Sequence, residues 1–382
     1  MTRGQEQNTG LWQRLARLPL LLLAALALLA GLWAGLLRIG WSWPDWGTGM
    51  AAVHGPLMVS GFLGTIIGLE RAVALGRRPA YLPPLLSGAG AALLLLAPGT
   101  PPARLLVTAG SAGLVLVFVF ILRRHTALYT VVMALGAALW LLGNVIWLSG
   151  RTVTLAVPWW IGFLVLTIAG ERLELSRVLR YQARTQVLFG MTTALSLVGV
   201  AATFWHFGFG MRVAGAGLVS LALWLLVYDI ARRNLRHRGL TRYMAVCLFS
   251  GYIWLAVGGV LALWYGGLPA GPLYDAMLHA IFLGFVFAMI FGHMPIIFPA
   301  VSGRSLSYRP AFYGPLVLLH LSLLLRLAGD LLFLPAARRW GGLLNALVVV
   351  LFLVVTMTAA RRGQAGSVPQ ATQKPDTIGN KQ

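Results

Sequence analysis

The sequence predicts an all-α, polytopic membrane protein of about twelve transmembrane helices, arranged as three tandem four-helix units with pseudo-threefold symmetry. Three observations carry that expectation. Of 382 residues, 59% are hydrophobic and 10% charged, and apolar runs long enough to cross a bilayer recur from end to end. Basic residues collect in alternate connections. A short motif returns at intervals of four apolar segments.

The apolar segments lie near 18–38, 50–69, 82–97, 104–122, 127–149, 159–175, 186–205, 211–230, 243–265, 275–299, 311–333 and 342–360. The first follows the polar stretch MTRGQEQNTGLWQRLAR. It shows no small-residue cleavage pattern and is expected to stay as a spanning helix. The third is the weakest, because Pro83-Pro84 shortens it.

Every even-numbered segment ends on a basic connection. Arg71, Arg77 and Arg78 follow the second, Arg123 and Arg124 the fourth, Arg177, Arg180 and Arg184 the sixth. Arg232 and Arg233 follow the eighth, Arg304 and Arg309 the tenth, Arg361 and Arg362 the last. The opposite connections hold scattered charge such as Arg38, Asp45, Arg151 and Asp275. The positive-inside rule then puts both termini in the cytoplasm of a bacterial-type inner membrane. The formal charge of +21 reads as membrane orientation among lipids, and no nucleic-acid partner is expected. The single Cys247 excludes an intrachain disulfide and a cysteine-based zinc or iron–sulfur site.

Self-comparison sets the units. GFLGTIIGLER runs from Gly61 to Arg71 and GFLVLTIAGER from Gly162 to Arg172, matching without a gap at Gly, Phe, Leu, Ile, Glu and Arg. GFVFAMIFGHM, from Gly284 to Met294, aligns a third time with His293 in place of Glu. The expected divisions are a cytoplasmic segment 1–17, units at 18–125, 126–238 and 239–362, and a polar, disordered cytoplasmic tail at 363–382. The motif places Glu70, Arg71, Glu171, Arg172 and His293 at equivalent inner helix ends. They serve either as interfacial pairs that anchor those ends or as a polar cluster that relays protons or binds a cation.

His125 and His237 fall in basic loops and His206 at an outer helix end, where solvated side chains are expected. His54 and His279 each lie about four residues into a segment that starts on the outer side, so their rings share a shallow depth. Neutral imidazoles at one depth on two helices are what a bis-histidine heme requires. The plainer reading has each one hydrogen-bonding to a neighbouring helix. His54 is seven residues upstream of the aligned glycine and His279 five; two residues turn a helix by roughly 200°, so the repeat alone does not make the rings face. His293 lies about 21 Å beyond His279 along the helix and shares no metal with it. His320, mid-membrane in segment eleven, is open to either role. Arg338 and Arg339, placed in the loop after segment eleven, run against the charge trend, and heme propionates near the outer face would give them partners; solvation is the alternative. Arg326 and Asp330, four apart, are expected as a helical ion pair.

Together these features resemble subunit I of the heme–copper oxidases: twelve helices in three units, a helix-two histidine in an HG-x-x-M pattern (His54, Gly55, Met58), a helix-ten histidine, and an Arg-Arg pair after helix eleven. The resemblance implies that His54 and His279 ligate the iron of heme b and that Arg338 and Arg339 meet its propionates. Segments 159–175 and 186–205 hold none of the copper-binding histidines of that family, and helix ten offers only Leu278-His279-Ala280 where the family has His-x-His. No oxygen-reducing binuclear centre is therefore expected. The helix HAIFLGFVFAMIFGH and the turn Gly303-Arg304 are similar to the NnrS-like membrane proteins of the nitric-oxide response. That likeness implies a heme protein with a gaseous ligand or a redox partner, acting in nitric-oxide response or membrane electron transfer.

A transporter or permease working through Glu70, Glu171 and His293 is the other reading, although three same-orientation units differ from the inverted pair of many transporters. A purely structural role, with incidental histidines, is the third. Soluble-enzyme motifs are missing: no nucleotide-binding glycine loop, HExxH pattern or nucleophile elbow occurs.

Overall fold

The computed structural model describes residues 3–45 and 49–365. Among them no strand occurs, and twelve helices are long and apolar enough to cross a membrane. We number them α1 (Arg17–Arg38), α2 (Met50–Leu75), α3 (Arg78–Leu96), α4 (Pro101–Leu122), α5 (Leu128–Leu148) and α6 (Val153–Leu179). The rest are α7 (Ala183–Ala202), α8 (Phe207–Tyr228), α9 (Gly239–Tyr265), α10 (Pro272–Ser302), α11 (Pro310–Leu331) and α12 (Pro335–Arg361). The chain is thus an all-α, multi-pass membrane protein.

All twelve expected segments are present, with informative differences at their ends. The helix that contains α1 begins at Arg3, inside the segment set apart at 1–17. The helix that contains α12 runs on to Ala365, three residues into the expected tail; from 366 onward that tail lies outside the described residues. Pro83 and Pro84 do not shorten α3, because they fall in the first turn of its α-helical part, from Leu82, where a missing N–H breaks no bond. Pro158 is accommodated within α6, which starts six residues ahead of the expected segment. α12 begins at Pro335, so Arg338 and Arg339 stand on a helix and not in a loop.

α2, α6 and α10, the three helices that carry the repeated motif, are also the most enclosed. In the most apolar stretch of each, 61%, 78% and 67% of residues are buried, against at most 56% in any other span. α10 packs against both α2 and α6. The leading motif glycines sit where no side chain fits: a Cβ on Gly61 would stand 2.7 Å from the Ala91 methyl, and Gly162 and Gly284 are pressed by Leu139 and Trp254. Their role is close helix packing.

α2 and α10 share one further irregularity, a π-helical stretch, at Leu57–Gly64 in α2 and Ala280–Phe287 in α10. Such i→i+5 turns are rare and gather at functional sites. Here each begins within three residues of the intramembrane histidine on its helix.

Candidate functional site

α2 and α10 carry their histidines to the end of the bundle where the even-numbered helices begin. α10 is launched from Gly271, whose φ of +97° costs only glycine nothing, with Pro272 in its first turn. α2 starts after Gly49, φ +106°, through a 3-10 turn at Met50–Val53. The two rings face each other, with centroids 6.3 Å apart and planes 19° from parallel.

Both rings are fixed through Nδ1. His54 Nδ1 donates to the carbonyl of Gly31 on α1 at 2.7 Å, and His279 Nδ1 donates to the carbonyl of Asp275, one turn back along α10, at 2.8 Å. A carbonyl only accepts, so the ring hydrogen is on Nδ1 and Nε2 keeps its lone pair. This is the tautomer of a metal-binding imidazole oriented by a backbone carbonyl. Gly35 gives His54 its seat, since a Cβ there would stand 2.8 Å from Cε1 of the ring.

The rings meet despite their unequal offsets from the motif. The count from each histidine to its glycine crosses a π-helical stretch, where more residues fill a turn than the α-helical 3.6, so an α-helical count does not give their directions.

A cavity of about 440 Å³ surrounds the pair, within the size range of cofactor pockets. Its walls come from α1, α2, α6, α10, α11 and α12. Met58, Val157 and Phe287 contribute apolar surface, and Arg38, Arg326 and Arg338 bring positive charge. The group implied by the sequence passes a geometric test here. A nitrogen of imidazole sits about 2 Å from a bound first-row metal ion and roughly 1 Å from its own ring centre, so rings on opposite faces of one ion stand about 6 Å apart. Among the described residues no three His, Cys, Asp or Glu side chains converge as a bare metal site; a heme asks the protein for axial ligands only.

Beside the rings lies a charged network that local spacing did not foretell. Arg326 and Asp330 do not pair along α11. Arg326 Nη2 donates instead to Asp275 Oδ2 at 2.7 Å, and Asp330 pairs with Arg338 Nε of α12 at 2.8 Å. Arg338 Nη2 also stands 3.6 Å from Asp275 Oδ2. Asp275 and Asp330 are buried, and a lone buried charge is costly enough that each takes a cation from a neighbouring helix. Arg339 does not line the cavity. Successive helical residues point about 100° apart, and its guanidinium lies 4.9 Å from the Trp41 ring centre while its carbonyl accepts from Trp41 Nε1 at 3.3 Å.

At the opposite end the motif residues converge as a second ionic cluster. Arg71 bonds Glu171 across α2 and α6 and Glu70 at 3.4 Å. Arg172 holds Asp229 through two bonds, of 3.0 and 2.9 Å, with both side chains almost fully buried. His293 Nδ1 donates to the Met289 carbonyl, and its Nε2 lies 3.4 Å from Arg172 Nη1. His320 belongs to neither site: its Nδ1 accepts from Trp254 Nε1 at 3.0 Å.

Sequence reasoning missed Asp229, and it read Asp275 as one scattered outer charge. The available signal was an acidic residue inside or beside an apolar segment in a chain with only 9 acids, which demands a buried partner. It also missed a mid-bundle network, in which Asn144 Oδ1 accepts from Ser60 Oγ at 3.3 Å and from Trp160 Nε1 at 3.0 Å. Nothing in the spacing of these residues links them.

Fold and site together define a multi-pass membrane protein with a histidine-faced cavity at one end and an ionic cluster at the other. The profile of a family described as a domain of unknown function, DUF8744, matches residues 17–361, and the chain belongs to that family. No curated protein matches the sequence.

Proposed function

We propose that the chain is a heme b protein of a bacterial-type inner membrane, with both termini cytoplasmic, acting in nitric-oxide response or membrane electron transfer. The observation that carries the reading is the facing pair His54 and His279, 6.3 Å apart, each with Nδ1 tied to a carbonyl and Nε2 free to ligate. Arg326, Arg338 and Arg38 are placed to meet propionates, with Asp275 and Asp330 holding the first two. The bound heme would supply a one-electron couple. The protein fixes the rings of His54 and His279, encloses them in apolar wall and provides compensating charge. With both histidines given to the iron, electron transfer would be favoured, and a gaseous ligand would need one of them to leave.

A reduced-minus-oxidised visible spectrum of the detergent-purified protein, beside His54→Ala and His279→Ala, tests the reading. A b-type spectrum lost in both variants is the expected result. A well-folded wild type that holds no heme would overturn it. That outcome would turn attention to the permease reading, which rests on the half-buried Glu70, Glu171 and His293 but has to explain why Arg71 and Arg172 occupy the same space. Orientation is tested in a Cys247→Ser background with Arg151→Cys or Arg236→Cys. An impermeant maleimide added outside spheroplasts should label only the first.

A further inference from the structure

We infer that Asp275 is a positioning residue that couples the ligand strength of His279 to the arginines facing the acidic edge of the bound cofactor. The inference rests on the bis-histidine reading above.

The two rings are held differently. His54 Nδ1 faces a neutral carbonyl, Gly31, at 2.7 Å. His279 Nδ1 faces the Asp275 carbonyl at 2.8 Å and the Asp275 carboxylate as well, with Oδ1 at 3.4 Å. A carboxylate behind the N–H makes an imidazole a stronger electron donor, as it does behind metal-binding histidines generally. His279 is therefore the stronger ligand of the pair and the one that favours oxidised iron.

The other oxygen of the same carboxylate belongs to the arginines. Oδ2 accepts from Arg326 at 2.7 Å and lies 3.6 Å from Arg338, which is itself paired with Asp330. Arg326 and Arg338 both line the cavity. Acidic groups at the cofactor edge compete with Asp275 for these guanidiniums. When they take the arginines, the carboxylate charge acts more fully on His279; when they release them, the arginines draw it away. The i,i+4 spacing of Asp275 and His279 on α10 makes the link possible, because one helical face presents both groups.

The test is the midpoint potential of the heme-loaded, full-length protein in detergent, taken with its oxidised and reduced spectra. Asp275→Asn is expected to keep the bis-histidine spectrum and to raise the potential by at least a tenfold change in the reduction equilibrium, about 59 mV for a one-electron couple. Asp330→Asn removes an equal charge from the same network without touching the ring and should shift the potential less. Asp275→Glu moves the charge by one methylene and should give a smaller rise of the same sign. An unchanged potential in Asp275→Asn, or an equal shift in Asp330→Asn, overturns the inference. If Asp275→Asn does not assemble, Asp275→Glu decides, and an unchanged potential there overturns it. A wild type without heme fails the bis-histidine reading before any potential is measured, so the two failures are distinct.

Discussion

Replacing Gly35 with alanine tests whether the His54 ring sits where the geometry puts it. The new methyl would stand 2.8 Å from Cε1 and 2.9 Å from Nδ1 of His54. Carbon atoms in contact rest near 3.5–4.0 Å, so the ring must retreat by roughly 1 Å. It is tethered by a 2.7 Å hydrogen bond to Gly31, one turn back on α1, and the retreat strains or breaks that bond. Overpacking costs about 1–3 kcal/mol and the lost bond about 0.5–1.5 kcal/mol, against a gain of about 1 kcal/mol in helix propensity. The balance is a loss of about 0.5–3.5 kcal/mol at the site, and 1.4 kcal/mol is about tenfold in affinity. On the heme reading proposed above, heme per protein and the thermal midpoint in detergent should both fall. The matching substitution at Gly190 in α7 meets no neighbouring atom within 4 Å and should raise the midpoint slightly while leaving heme content unchanged. The reasoning is refuted if Gly35→Ala behaves like Gly190→Ala.

Three further outcomes follow from the described contacts. Arg172→Ala leaves Asp229 buried without its cation and should cost about 3–5 kcal/mol, read as a fall in thermal midpoint far beyond that of the exposed Arg232→Ala; similar falls would contradict the buried pair. Arg338→Gln should weaken heme retention by roughly tenfold or more, the scale of one charge-assisted hydrogen bond, whereas Arg339→Gln should not, and equal losses would return Arg339 to the cavity. Trp254→Phe removes the donor to His320 at a cost of about 0.5–1.5 kcal/mol and should leave the visible spectrum unaltered; a changed spectrum would place His320 at the iron.

The spans were legible because hydrocarbon imposes length and apolarity on every one of them. The repeat was legible too, and with it the meeting of Glu70, Arg71, Glu171, Arg172 and His293 at one end. The pairing inside that cluster was not, since Asp229 stands just past the end of α8, outside the motif. The facing of His54 and His279 was readable as a common depth but not as a direction, because helical counting at 3.6 residues per turn fails across π-helical stretches. Arg326 and Asp330 show the opposite limit. Their i,i+4 spacing is a sound local rule, overridden because two buried acids, Asp275 and Asp330, each required a cation from another helix. Arg339 was misplaced for a smaller reason: α12 starts at Pro335, and on a helix adjacent arginines diverge.

α2 and α10 each join both ends of the molecule, with His54 and Glu70–Arg71 on one, His279 and His293 on the other, and eight π-helical residues between or beside them. The phase between the two ends of each rod is therefore set by an over-full turn. A single deletion in an ordinary α-helix turns everything beyond it by roughly 100°. A deletion within Leu57–Gly64 would instead be absorbed as the over-full turn tightens to ordinary pitch, leaving the cavity and the ionic cluster in phase. The surplus residue is thus slack stored between the two sites, carried by one rigid rod that serves both.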